Sequence, residues 1–443
     1  NTVGYFRLLN QNPSFRNLWY AQVVSELGDW LNSIAIYALI LKLSDSGMAM
    51  AGAMMAKLLP IVLISPIAGV VVDRVSRKTV MIVSDLLRCV VVLAFLLVED
   101  RDTLWLVYAL VIVEISLSGF FEPARSAIIP SLVTKKDLVT ANALSGSTWS
   151  VMLAFGAALG GVIVYLFGIK VAFILDASTF ILSAWFLSKI PSQKKSTKKD
   201  SSKHTGYQEL LDAMRFLMAE PMVLVLSLLK AGLAVAGGIM TLIPLMASQV
   251  LSVSVSLGIG ILYSARGLGA ALGPILVKRI FGETASVLQW AIAGAFFLKA
   301  FSYLFIAAYH NLWTLSLGVA LATLFGSIIW VFSSALIHLS APDNYLGRIF
   351  SFELALLTLV MGCSNWGVGY AVDGWGMNIN QIALWMAGLV AIPGILWSGF
   401  LIFLQNRLKQ GECVGSISPV DPSGFNPSPI AGDHRTDIQS DVK

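Results

Sequence analysis

The sequence predicts an all-α membrane protein, with 12 transmembrane helices in two pseudo-symmetric six-helix bundles, and three observations predict it. Of 443 residues, 57% are hydrophobic and only 12% are charged, more apolar surface than a water-soluble chain of this length can hide. A helix needs about 20 apolar residues to cross a hydrocarbon core of roughly 30 Å, and twelve runs of the chain meet that length. The two halves also echo each other. Gly69 through Lys78, after the second run, is matched by Gly269 to Pro274 and Lys278-Arg279 after the eighth; Ile129-Pro130, leading to Ala141–Ser145, is matched by Ala341-Pro342, leading to Gly347–Ser351. Parallel repeats of this kind place a substrate path on the axis between them.

The runs fall near 17–43, 49–72, 79–98, 104–129, 141–168 and 170–188, then 222–248, 255–277, 286–308, 312–338, 345–372 and 381–405. The first contains Glu26 and Asp29 and no small-residue cleavage site, so it reads as a retained helix rather than a signal peptide. The second ends at Gly69 and runs into the basic turn Asp73-Arg74-Val-Ser-Arg77-Lys78. Asp85 and Arg88 lie on the third, and the fourth is long enough that it must tilt or project from the bilayer. Small residues Gly156, Gly160 and Gly161 on the fifth allow close helix packing. The Lys/Ser-rich stretch after the sixth is a solvated linker, and Leu210, Leu211, Met214 and Leu217 within it are spaced as a short interfacial helix over 207–220. The organisation expected is thus a bundle over 1–189, a linker over 190–221, a second bundle over 222–410 and a disordered tail over 411–443, rich in Pro, Ser, Gly and Asp.

Connections on one side carry Arg74, Arg77, Lys78, Lys135, Lys136, the lysines of the linker, Lys278, Arg279 and Arg348; the other side carries little more than Arg101 and Lys170. The positive-inside rule then puts both termini in the cytoplasm. Three scattered cysteines and four scattered histidines suggest neither a disulfide framework nor a metal centre, and no cofactor is expected. The modest net charge of +5 is spread over short loops and gives no reason to expect nucleic acid as a partner. No G-x-x-x-x-G-K-[ST] loop occurs, so the chain is not by itself an ATP-driven pump.

Ionisable groups inside a bilayer are functional candidates by default, because each costs several kcal/mol unless paired or watered. Glu26 and Asp29 share one helical face, and Asp29 lies about 12 residues into its helix, roughly 18 Å deep. Glu114 lies at mid-membrane on the fourth helix. The deep cations are Lys57 in the first half and Lys230 and Arg266 in the second. An acidic first half facing a basic second half suits a central cavity in which Asp29 or Glu114, with Glu26 third, takes up and releases protons; alternatively these acids neutralise Lys57, Lys230 or Arg266 in fixed bridges. Asp85, Arg88, Glu122 and Arg125 are expected to join Arg74, Arg77 and Lys78 in a charge network that holds a cytoplasmic gate shut. Asp73 would dock near Arg348 at the start of the eleventh helix, and Glu353 would pair with a cation of the turn. Asp176, Lys299 and His338 read as packing or interfacial residues.

Gly69-Val-Val-Val-Asp73-Arg74-Val-Ser76-Arg77-Lys78 closely resembles the helix 2–3 loop signature of the major facilitator superfamily, with Ser76 where that family usually has glycine. Phe15-Arg16-Asn17-Leu18-Trp19, Ser25–Asp29, Phe121-Glu122-Pro123-Ala124-Arg125 and Pro342-Asp343 with Gly347-Arg348 extend the likeness to its drug:proton antiporter branch, which includes macrolide and siderophore exporters. Gly156–Gly161 is similar to the antiporter G-P-x-x-G-G signature, with Ala157 in place of proline. This resemblance implies no enzyme, but a monomeric secondary transporter in a bacterial inner membrane that exports amphipathic organic molecules in exchange for protons by alternating access. Lysophospholipid flipping and metabolite uptake are the alternatives it leaves open.

Overall fold

The computed structural model describes residues 4–191, 218, 220–249, 254–282, 284–308 and 311–409. Described residues include 12 spans long and apolar enough to cross a membrane. A short helix α1 (Tyr5–Gln11) precedes the first span, α2 (Pro13–Leu43), whose start is set by Asn12: its side chain accepts from the Phe15 amide at 2.9 Å, and Pro13 follows at the first helical position. The first half continues with α3 (Gly47–Arg74), α4 (Arg77–Ala94), α5 (Leu104–Leu132), α6 (Leu138–Phe167) and α7 (Ile169–Ser188). The second contains α8 (Pro221–Ala234), α9 (Ile239–Gln249), α10 (Val255–Phe281), α11 (Ala285–Ala307), α12 (Leu312–Ser340), α13 (Asp343–Asp373) and α14 (Ile379–Lys409). The expected linker helix over 207–220 and the tail over 411–443 fall almost wholly outside the described residues.

The seventh span differs from its expectation as one helix over 222–248: it is α8 and α9 with a break at Val235–Gly238. Gly237 and Gly238 are poor helix formers, and neighbouring spans take over the backbone groups that the break frees. The Ser364 hydroxyl donates to Val235 O (2.6 Å) and accepts from Gly238 N (2.9 Å); Asn365 Oδ1 accepts from Thr241 N and Oγ1; the Tyr303 hydroxyl donates to Ala236 O at 3.1 Å. Within hydrocarbon, irregular backbone persists only where it is supported in this way.

Within the first half α2 packs on α6 and α7, and α4 on α5 and α7; in the second α12 packs on α10 and α11. The halves meet along two seams, α3 with α13 and α6 with α10. Each seam has glycines at its tightest approaches. A Cβ on Gly161 would lie 2.8 Å from Ser256 O and 3.0 Å from Gly260 Cα, and one on Gly369 would lie 2.7 Å from Ala51 Cβ and 2.9 Å from Gly47 O. Such contacts need backbones to touch. These approaches cluster at the end of the molecule opposite the Gly69–Lys78 turn, and that end is closed further by Asp373. Its carboxylate, at the end of α13, accepts from Ser46 Oγ (2.5 Å), Gly47 N (2.8 Å) and Met48 N (2.8 Å) at the start of α3.

Candidate functional site

The first half holds a polar network through its centre. Arg88 of α4 is buried, forms an ion pair with Asp29 of α2, lies 3.8 Å from Asp85 one turn away on its own helix, and stacks on the Phe180 ring of α7 at 4.2 Å. Asp85 in turn accepts from Ser183 Oγ of α7 at 2.6 Å. Asp29 keeps 36% of its side chain exposed while Arg88 keeps 3%, so the acid is the more accessible end of the pair. Glu114 of α5 is buried and accepts from Asn32 Nδ2 at 2.7 Å, one turn from Asp29 on the same face of α2. Lys57 of α3 donates to Ser33 Oγ (2.7 Å) and Tyr37 OH (3.3 Å). Glu26 accepts from Gln22 Nε2 at 2.8 Å, and Gln22 exchanges two further bonds with Ser145 of α6, whose hydroxyl accepts from Arg125.

The deep groups of the second half face these across an aromatic step. Tyr263 of α10 stacks on Tyr37 at 5.6 Å and tilts against Trp30 at 5.7 Å, and Arg266, half-buried, lies 5.6 Å from the Tyr263 ring. Lys230 of α8 donates to Glu353 Oε2 of α13 and to Ser334 Oγ of α12, both at 2.7 Å, with the Trp330 ring 4.7 Å from its ammonium. Glu114 and Lys230 are buried, and Asp29, Lys57 and Arg266 are half-buried.

Among the described residues, Asp85, Arg88 and Glu353 do not join the turn in the charge network expected there. Asp85 and Arg88 lie between the middle and two-thirds of the way along α4, and Arg88 turns inward to Asp29, because at that depth an arginine needs a carboxylate beside it. Glu353 pairs with Lys230, not with a cation of the turn, for the same reason. Arg77 donates to Ala127 O (2.8 Å), and Lys78 donates to Ser188 O and Ile190 O (2.6 Å each), so these cations tie the turn to α5 and α7 of their own half. Glu122 and Arg125 pair with each other at 2.6 Å. Arg74 is exposed, and Arg348 lies 6.0 Å from the Tyr345 ring. The side chain of Asp73 lies outside the described residues. Gly69 faces open space, with no helix against it, and Ser76, at φ −58° and ψ 122°, sits where any residue can, so no glycine is needed.

Asn32, Gln22, Ser33, Tyr37 and Tyr263 went unread in the sequence. Asn32 and Ser33 follow Asp29 by three and four residues, and that spacing is the signal that would have found them. Among the described residues no group of three or more His, Cys, Asp or Glu could hold a metal ion.

Twelve spans in two halves with charged residues buried between them define a membrane transporter. The model of the transmembrane secretion effector family matches residues 7–432, and the chain belongs to that family. The MFS-type transporter YfiS of Bacillus subtilis (strain 168) is 26% identical over 443 residues, covering 90% of this chain and 100% of that protein. The enterobactin exporter EntS of Salmonella choleraesuis (strain SC-B67) is 26% identical over 359 residues, covering 77% and 81%. Among solved structures, a POT family transporter in complex with 5-aminolevulinic acid aligns at a TM-score of 0.69 with 11% identity, covering 91% of this chain and 97% of that one. The nucleoside transporter NupG aligns at 0.67 with 13% identity, covering 88% and 99%. The chain has the same fold as these transporters and is a multi-pass membrane transporter, not an enzyme.

Proposed function

We propose that the protein is a proton-coupled exporter of amphipathic organic molecules that works by alternating access in a bacterial inner membrane, with both termini cytoplasmic. The observation that carries this reading is the Asp29–Arg88 pair: a partly exposed carboxylate in the first span held against a buried guanidinium, 36% exposed on one partner and 3% on the other. When Asp29 is protonated the ionic attraction is lost, and a bilayer-embedded arginine must then find another acid. Proton binding at this one residue thus changes the packing of α2 against α4. The positive-inside rule supports reading the basic turn as cytoplasmic, and the close glycine approaches at the other end support reading this conformation as inward-facing. Export as the direction rests on the family and on the likeness to a relative named as an enterobactin exporter.

The test is transport of a panel of amphipathic cations, macrolides and catecholate siderophores by the protein in vesicles, driven by an imposed pH gradient. Asp29→Asn should abolish gradient-driven transport, and Glu114→Gln should reduce it by about tenfold or more, while both variants insert normally. Gradient-driven transport at the wild-type rate in both variants would refute the coupling assignment.

A second reading is favoured by one feature. A groove of about 540 Å³ runs between α13 and α14, lined by Trp366, Tyr370, Trp375 and Trp385 and reaching Val235 at the break of the seventh span. Aromatic walls near the end of the spans opposite the turn suit an acyl tail entering sideways, so lysophospholipid flipping without a pH gradient is the outcome that would select this alternative.

A further inference from the structure

Asp176 of α7 is fully buried (0% exposed); its Oδ1 accepts from the Thr179 hydroxyl of its own helix at 3.3 Å, and its Oδ2 has no hydrogen-bond partner. Its position is set by Gly28, next to Asp29. A Cβ at Gly28 would lie 2.2 Å from Asp176 Oδ1 and 2.0 Å from Thr179 Oγ1, so only a glycine lets α7 bring this carboxyl against α2. The charged and titratable groups around it are Asp29 from α2, Arg88 and Cys89 from α4, Glu114 from α5 and Lys57 from α3, with Asp85 on the far side of Arg88. Arg88 is already committed to Asp29 and Asp85, and its Nε has no partner. Lys57 is held by Ser33 and Tyr37. The cluster therefore sets four carboxyls, Asp29, Asp85, Glu114 and Asp176, against two cations, Arg88 and Lys57. An ionised Asp176, with one long hydroxyl contact on Oδ1 and nothing on Oδ2, has no place in such surroundings.

We propose that Asp176 is a second proton-carrying residue of the transport cycle, exchanging one proton with Asp29. In the conformation described here Asp29 is ionised on Arg88 and Asp176 carries the proton. In the exchange the proton passes from the Asp176 carboxyl to the Asp29 carboxylate, leaving Asp176 ionised and Asp29 neutral, and the Arg88 guanidinium follows the negative charge from α2 to α7. Total charge is unchanged, so no bare ion is stranded in the bilayer at any stage. Asp29, the more accessible group, then exchanges its proton with water. The unpartnered Arg88 Nε and Asp176 Oδ2 are the donor and acceptor this second pairing requires.

This inference rests on the proton-coupled reading above, and one set of measurements separates the two. Asp176→Asn copies the shape and hydrogen bonding of the protonated acid, so it should insert and bind substrate normally. Gradient-driven transport should fall by about tenfold or more and its dependence on pH should flatten. A role in packing alone would leave the pH profile unmoved. If Asp29→Asn loses coupling while Asp176→Asn keeps the wild-type profile and proton flux, the exchange is overturned and the coupling reading stands; if both keep it, both fall. Should Asp176→Asn not insert, the wild-type protein answers directly. A hydrophobic carbodiimide, which attacks protonated carboxyls, should modify Asp176 in preference to Asp29 in the inward-facing state, and modification of Asp29 without Asp176 overturns the proposal.

Discussion

Asp29–Arg88 and Lys230–Glu353 are similar solutions to one problem at the scale of the residue: a cation deep in the bilayer is matched by one carboxylate from another span. The two pairs differ in access. Lys230 and Glu353 are 6% and 3% exposed, so this pair is dry and fixed, and its members belong to stability more than to the cycle. Removing one partner of a buried pair leaves the other uncompensated, at a cost of about 3–5 kcal/mol. Glu353→Gln is therefore expected to lower thermal stability in detergent sharply, while the paired change Lys230→Met with Glu353→Leu recovers most of it. Equal stability of the single and double variants would show that the pair does not act as a unit. The candidates themselves were legible in the sequence because charge in a hydrophobic run is conspicuous. Their partners were not. Spacing places Arg88 on α4 and Glu353 on α13 but does not say which span turns towards them, and that choice is made by packing of α2, α4 and α7 and of α8, α12 and α13.

Among the elements, each span was readable from its length and hydropathy, and the boundaries agree to within a few residues except where tertiary support allowed a break. The seventh span fails as a single helix because Ser364, Asn365 and Tyr303, remote in sequence, make irregular backbone tolerable there. A second contact lies just past the reach of the hydrophobic pattern: Asp373, one residue beyond the apolar run of the eleventh span, caps α3 in the other half. A carboxylate on the free amides of a helix start contributes about 1–2 kcal/mol, which corresponds to a factor of about 5–30 in a two-state population. Asp373→Ala should therefore speed amide exchange at Gly47 and Met48 by about 5–30 fold, read by hydrogen–deuterium exchange in lipid nanodiscs. Unchanged protection at those amides would remove the contact as a latch.

For the whole molecule, what the sequence could not say is which end of the two bundles is shut. Repeats and loop charges predict two halves and a sidedness, but under the alternating-access mechanism proposed above both ends must be able to close, and the packed seams, not the sequence, carry the present state. Here Gly161 lies backbone against backbone on Gly260, and Gly369 lies on the Gly47 backbone and the Ala51 methyl, with little room to yield at either seam. Adding a β-branched side chain at one of these sites overpacks the seam by about 1–3 kcal/mol. Taking a conformational equilibrium from 1:99 to 99:1 needs about 5.5 kcal/mol. Gly161→Val alone should therefore produce a mixture of closed and open states at the end opposite the turn, whereas Gly161→Val together with Gly369→Val, one on each seam, should populate the open state predominantly. Spin labels at Asp45 and Gly376, on opposite halves of that end, should report a longer distance as a minor component in the single variant and as the main component in the double. A distance distribution unchanged in the double variant would mean that the halves do not rock about these seams.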